Sequence, residues 1–348
     1  SSQITSYACR KLGDYMVHVI SLCIILGSVA GASALSVGRA QHAEQDAIRV
    51  SYDNSSRRED RVLVVVLGHG QEDRSQGLSA TLHRFYQQLG PKNFDCLVFV
   101  WNPTMKLPDV PPGCEIKVTP GVFMHYTRLI PAARLKAAAY AYLMADDVTL
   151  DVPGRPPMDI VALRDLATAN CLDVLTPAQF GGYYNLMKPH EGLDPGRRVQ
   201  FSDWQGNLVT PTVVKVLARL ASSNITGCWG YDSLLFSAVK YWTRRLPRLG
   251  VADQLVVNVG VQDISLTAVD AATYDTRHHA CGEVKIVNGE LEHTATKKQL
   301  AYWNRKYGFA DYTTYGDPPP DELLVSAGST AAISPKSCAA MLTAGDVV

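Results

Sequence analysis

An α/β fold, with a mostly parallel sheet sandwiched by helices, is what this sequence predicts from three observations. Short valine-rich apolar runs recur along its first half, segments with apolar residues at helical spacing lie between them, and glycine and acidic residues mark where the runs stop. Continuous apolar runs of this length suit strands covered on both faces, and their alternation with helices is the pattern of βαβ units.

The elements follow in order. Arg61 to His69 (RVLVVVLGH) is the opening central strand, ended by Gly68 and Gly70, and Gln76 to Leu89 carries Leu78, Leu82, Phe85, Tyr86 and Leu89 at helical spacing. Asp95 to Trp101 and Glu115 to Val118 read as the second and third strands. A helix is expected from Thr127 to Ala141, rich in Ala, Leu, Arg and Lys, all good helix formers. Ala141 to Leu150 (AYLMADDVTL) is an apolar strand ending in acids; a helix at Met158 to Ala169 and a strand at Asp173 to Pro177 come next. Gly181 to Asp203 is loop-like. A strand near Asn207 to Pro211, helices at Thr212 to Ala221 and Trp229 to Tyr241, and a buried strand at Leu255 to Val261 complete the series.

Composition narrows the function classes. The 348 residues hold 33 Lys plus Arg against 33 Asp plus Glu, and 47% are apolar. That apolar content argues against disorder, and the even charge count argues against a nucleic-acid partner, because phosphate contacts need a surplus of basic side chains. Part of the apolar content lies in Tyr15 to Gly38, a run of 24 residues without Asp, Glu, Lys or Arg. At about 1.5 Å per residue it is long enough to span a hydrocarbon core, and Arg10 and Lys11 precede it. A cleaved signal peptide, with Ala32-Ser33-Ala34 as the cleavage site, is the rival reading. The expected organisation is an anchor or signal at 1–39, a stem at 40–60, a catalytic domain at 61–316 and a flexible tail at 317–348.

The sequons at Asn54 and Asn224 agree with export. Eight cysteines occur without a Cys-x-x-Cys pair, which speaks against zinc; the six from Cys96 onward are either lumenal disulfides or buried thiols.

The sharpest chemical signal is Asp146 and Asp147 at the end of an apolar strand, with Asp151 beyond. Ligands of open α/β sheets bind outside the carboxyl ends of strands, and adjacent carboxylates repel unless a cation such as Mn²⁺ or Mg²⁺ offsets them. The alternative is a solvated turn. Asp232, in Gly227-Cys228-Trp229-Gly230-Tyr231-Asp232, opens a helix, where it serves either as a general base or as a complement to the helix dipole. Asp253 sits just before a strand, Gly68-His69-Gly70 is a loop suited to approach a phosphate, and Arg134 with Lys136 precedes the acidic strand. No Gly-x-Ser-x-Gly, Walker A or Gly-x-Gly-x-x-Gly motif is present, which removes the hydrolase-elbow, P-loop and dinucleotide readings.

In order, these pieces resemble a GT-A type glycosyltransferase. More closely, the chain resembles the plant and algal membrane-anchored proteins collected as domain of unknown function 707. The elements that carry the likeness are RVLVVVLGH, FDCLVFVWN, AYLMADDVTLD, LATANCLDVLTPA, the helix after NLVTP, GCWGYD and LGVADQLVVNVGV. Where that family offers Asp-x-Asp this chain has Ala145-Asp146-Asp147, and Asn258 stands where a His commonly closes the last strand.

The resemblance implies metal-dependent transfer of a sugar from a nucleotide sugar to a hydroxyl of a glycan or other acceptor. It implies Asp146 and Asp147 as ligands of Mn²⁺ or Mg²⁺ and Asp232 as the base. His69, Arg134 and Asp146 are the candidate nucleotide-sugar contacts, and Trp229 and Asp253 the acceptor contacts. The implied setting is the Golgi or endoplasmic reticulum membrane, with the domain lumenal. An inert carbohydrate-binding or scaffold protein on the same fold is the alternative.

Overall fold

The computed structural model describes residues 60–121, 123–150, 156–180, 194–199, 202–221, 231–258, 284–287, 290–307, 323–334 and 337–338. These belong to one compact unit, Ser56–Val348. Tyr15 to Gly38, Asn54, Trp229 and the sequon at Asn224 lie outside the described residues. No helix among the described residues is long and apolar enough to cross a membrane.

The expected α/β architecture is the one observed. A nine-stranded sheet runs in the order β3-β2-β1-β4-β8-β6-β9-β5, with β7 also on β9. Its strands are β1 Val62–His69, β2 Phe94–Val100, β3 Cys114–Val118, β4 Tyr140–Met144, β5 Val148–Thr149, β6 Val174–Phe180, β7 Gly196–Val199, β8 Gly206–Val209 and β9 Leu249–Asn258. Strands β1 to β4, β6 and β9 run one way and β5, β7 and β8 the other. Val284–Val287 and Glu290–His293 form a separate antiparallel hairpin, β10 and β11.

Register explains the valine runs. Val62 to Val66 lie opposite Phe94 to Val98 on one side and Tyr140 to Met144 on the other, so β1 is central and apolar on both faces. Val62, Val64 and Val66 pack with Leu78, Leu82 and Phe85 of helix α1 (Ser75–Leu89) and with Leu163 of a later helix, Ile160–Ala169. Leu63, Val65 and Leu67 face a second layer that holds Tyr126, Val213, Leu217 and Leu235. Each fully buried Val or Leu of this kind contributes roughly 1.5–3 kcal/mol.

The helix expected from Thr127 to Ala141 is broken up. A 3-10 segment, Phe123–Leu129, is followed by a short helix α2, Ala132–Ala137. Pro131 lies between them, extended at φ −61°, ψ 131°. It lacks the N–H that would continue the turn and disfavours helix in the residue before it. Helix α3 (Ile160–Ala169) starts at Asp159, whose carboxylate accepts from the Val161 and Ala162 N–H groups at 2.8 and 3.2 Å. Helix α4 (Pro211–Leu220) is capped by Thr210 and opens on proline, a first-turn residue whose missing N–H costs nothing. Helices α5 (Tyr231–Thr243) and α6 (Thr294–Tyr307) follow.

Two expectations change in the second half. The segment read as loop through Asp203 contains β7, whose Gly196 to Val199 pair with Leu249 to Ala252. Within the stretch read as a flexible tail, Leu323 bridges to Arg197, Leu324 is buried, and Asn170 exchanges hydrogen bonds with the Val325 backbone at 2.8 Å each way. A disulfide, Cys171–Cys338, ties this segment to the end of α3; a second, Cys96–Cys114, links β2 to β3.

Candidate active site

The carboxyl ends of β1, β4 and β6 and the start of antiparallel β8 come together at one edge of the sheet, and the polar residues collect there. Strand β1 reaches this edge through an irregularity: its register with β2 shifts between Val66 and His69. Gly68, at φ +97°, supplies the backbone conformation that side-chain-bearing residues rarely adopt. Gly70 lies so close under Trp101 that an added Cβ would sit 1.9 Å from its ring. The loop therefore holds the His69 ring fully buried, with Nδ1 2.9 Å from Asp146 Oδ2 and Nε2 3.0 Å from Ser75 Oγ.

Asp146 and Asp147 lie in the turn between β4 and β5, as the sequence suggested. The Arg74 guanidinium, from the turn before α1, stands 3.0 Å from Asp146 Oδ1 and 3.5 Å from Asp147 Oδ2. Burial opposes the Arg74 charge, but Asp146 and then Asp147 more than offset it and hold its pKa above the ordinary value. Arg74 went unnoticed in the sequence because nothing in Glu72-Asp73-Arg74 sets it apart from a solvated charge run.

This arrangement does not fit the metal expectation. Asp146 commits one oxygen to His69 and the other to Arg74, and a cation is already in contact with both carboxylates. Among the described residues no group of three or more His, Cys, Asp or Glu side chains is placed to hold a metal. We expect the nucleotide-free protein to bind Mn²⁺ weakly in titration calorimetry, and Arg74→Ala to bind it about tenfold or more tightly. A point charge within 4 Å is worth about 1 kcal/mol per unit charge even at the dielectric constant of water, and twice that toward a divalent ion. Equal Mn²⁺ affinities for the two proteins would refute this account of the cluster.

A second polar group flanks the first. The Ala145 N–H donates to the Gln205 carbonyl at 3.0 Å, and Gln205 Nε2 donates to Asp203 Oδ2 at 2.9 Å. Burial first, and the nearby Asp232 charge second, push the Asp203 carboxyl up to about 7, against the pull of the Trp204 N–H and the Gln179 and Gln205 amides. Asp232 itself is half-buried in the first turn of α5. Beneath Asp203, Ser202 Oγ bonds Thr176 Oγ1 at 2.5 Å and accepts from Asn207 Nδ2 at 3.0 Å, all three residues being buried. Asp203 was missed in the sequence; it stood at the end of a presumed loop, with only its place just ahead of a short strand as a signal.

Other expected site residues fall elsewhere. Arg134, expected at phosphates, is at the opposite, amino-terminal end of the sheet. It is paired with Asp95, bonded to Glu115 at 2.7 Å, and donates to the Cys96 carbonyl at 2.8 Å. The reason is connectivity: α2 (Ala132–Ala137) leads straight into the start of β4 at Tyr140, so its side chains stay at the entry side of the sheet. Asp253, expected before a strand, lies inside β9, where the register with β6 jumps from Ala252 to Leu255. Trp229 is outside the described residues, and Asn258 is placed by backbone pairing with Val148.

Fold and site together define an α/β domain with acids gathered at the carboxyl edge of its sheet. No protein-family model matches the chain, that of domain of unknown function 707 included, and no curated protein sequence matches it. Among solved structures the chain is similar to a glycosyltransferase involved in the glycosylation of the major capsid of PBCV-1, at 12% identity and TM-score 0.34, over 63% of this chain and 98% of that one. It is also similar to Rv0371C from Mycobacterium tuberculosis H37Rv, solved in complex with manganese, at 13% identity and TM-score 0.32, with the same coverage of 63% and 98%. A third is S. aureus TarS 1-349 in complex with UDP, at 13% identity and TM-score 0.35, over 72% and 73%. Likeness at this level decides no activity, which rests on the geometry above.

Proposed function

We propose that this protein transfers a glycosyl group, hexosyl or pentosyl, from a nucleotide sugar to a hydroxyl of a glycan or similar acceptor. The observation that carries this reading is the line of contacts from Asp146 through Ala145 and Gln205 to Asp203, with the Asp232 charge acting on Asp203, at the sheet edge where α/β folds bind ligands. In the reaction, a bond forms between the acceptor oxygen and the anomeric carbon. The bond from that carbon to the diphosphate breaks, the diphosphate leaves with the electron pair, and Asp232 receives the hydroxyl proton. His69 and Arg74 fix the orientation of Asp146 at the mouth of the site. The disulfides Cys96–Cys114 and Cys171–Cys338 support a place in the oxidising secretory pathway, with residues 1–39 as anchor or signal and 40–60 as stem.

The test is incubation with a panel of nucleotide sugars, with and without glycan acceptors, measuring nucleoside diphosphate release. Acceptor-dependent release is expected. Donor binding without release would instead favour a carbohydrate-binding protein, a reading that the closed His69–Asp146–Arg74 network supports.

A further inference from the structure

We propose that Ser75, His69 and Asp146 form a nucleophile–base–carboxylate triad, and that the protein cleaves small O-acyl esters at Ser75 Oγ. This activity goes beyond the transferase reading and does not rest on it. Ser75 Oγ lies 3.0 Å from His69 Nε2, and His69 Nδ1 lies 2.9 Å from Asp146 Oδ2. Those two hydrogen bonds define such a triad, which is recognised by geometry and roles rather than by order in the chain. The partners also fix the ring. A carboxylate only accepts, so Nδ1 carries the proton and Nε2 presents its lone pair to the Ser75 O–H. Arg74 Nη1 holds the other Asp146 oxygen at 3.0 Å and the ring is fully buried, so base and carboxylate are locked in one orientation.

The surroundings of Ser75 suit attack. It is half-buried, at the first position of the 15-residue helix α1, just past the loop that leaves β1. A strand-to-helix turn is where α/β hydrolases set their nucleophile, and Asp73-Arg74-Ser75-Gln76-Gly77 keeps the Ser-x-Gly half of Gly-x-Ser-x-Gly. The N–H of the residue after the nucleophile is the usual oxyanion donor. Here that residue is Gln76, in a first turn whose N–H groups lack acceptors within the helix. A Cβ on Gly77 would meet nothing within 4 Å, so an ester can approach over this turn. In the reaction Ser75 Oγ bonds to the acyl carbon while its proton passes to His69 Nε2. The bond from that carbon to the alcohol oxygen breaks, and the alcohol leaves with the electron pair and the His69 proton. Water then attacks the acyl carbon and gives a proton to His69. The bond to Oγ breaks, Ser75 recovers that proton, and the carboxylic acid departs.

The test is labelling of the full chain with a fluorophosphonate, the adduct mapped by peptide mass spectrometry, alongside hydrolysis of p-nitrophenyl acetate. An adduct on Ser75 is expected in wild type, and its absence in Ser75→Ala, with ester hydrolysis reduced at least about a hundredfold. Asp146→Asn is expected to slow both reactions at least about a hundredfold, because an amide facing Nδ1 favours the wrong tautomer. The wild-type adduct needs no variant, so a substitution that unfolds the chain leaves the proposal testable. Wild type unlabelled at Ser75, or either variant reacting at the wild-type rate, overturns it: the serine then only satisfies a buried ring nitrogen. No nucleotide sugar enters the assay, so its failure is distinct from failure of the transferase reading.

Discussion

Asp232→Asn is expected to lower the rate of glycosyl transfer by about 10²–10⁴-fold, the usual contribution of a positioned general base. The argument is local. Asp232 sits in the first turn of α5, at the sheet edge shared with Asp146 and Asp203. Burial first, and its charge second, raise the Asp203 carboxyl. Replacement by Asn keeps the shape and removes the proton acceptor, so kcat falls while donor KM changes little. The check is initial-rate kinetics by diphosphate release, with circular dichroism to confirm the fold. A kcat within twofold of wild type would remove Asp232 from the mechanism.

Arg134→Met is expected to have the largest effect on stability and none on donor affinity. Arg134 and Asp95 are 8% and 3% exposed, and the guanidinium also serves Glu115 and the Cys96 carbonyl. Removing it leaves Asp95 with Arg61, at 3.0 Å. Breaking a buried pair from one side costs about 3–5 kcal/mol, since the other charge stays behind desolvated. For a unit of this size that is a fall in melting temperature of roughly 6–20 °C. Calorimetry tests the first part and nucleotide-sugar titration the second. A loss of donor affinity in a protein of unchanged stability would return Arg134 to the binding site.

The two arginines show how far the sequence could be read. Arg134 attracted notice because it precedes the acidic strand, yet α2 feeds the start of β4, which leaves it at the entry side of the sheet, far from the strand's acidic end. Arg74 attracted none, although folding the start of α1 over the end of β1 brings it to both acids across 72 residues. Asp203 was hidden for a different reason. Strand β8 runs against its neighbours, so the residues before it fall at the carboxyl edge, and strand direction leaves no mark in a four-residue apolar segment. β7, with two arginines in four residues, has neither alternation nor an apolar run to reveal it.

What the sequence determined by itself was the class of fold and the place of the acidic turn. Valine runs buried on both faces can be satisfied only inside a sheet covered by helices, and that requirement is local to each segment. What the tertiary structure decided was the partners of the acids: Arg74 and His69 on Asp146, and Asp203 beside Asp232. Electrostatic partnership depends on distances of a few ångströms between residues far apart in the chain, so only the folded sheet, with its strand order and directions, could assign it.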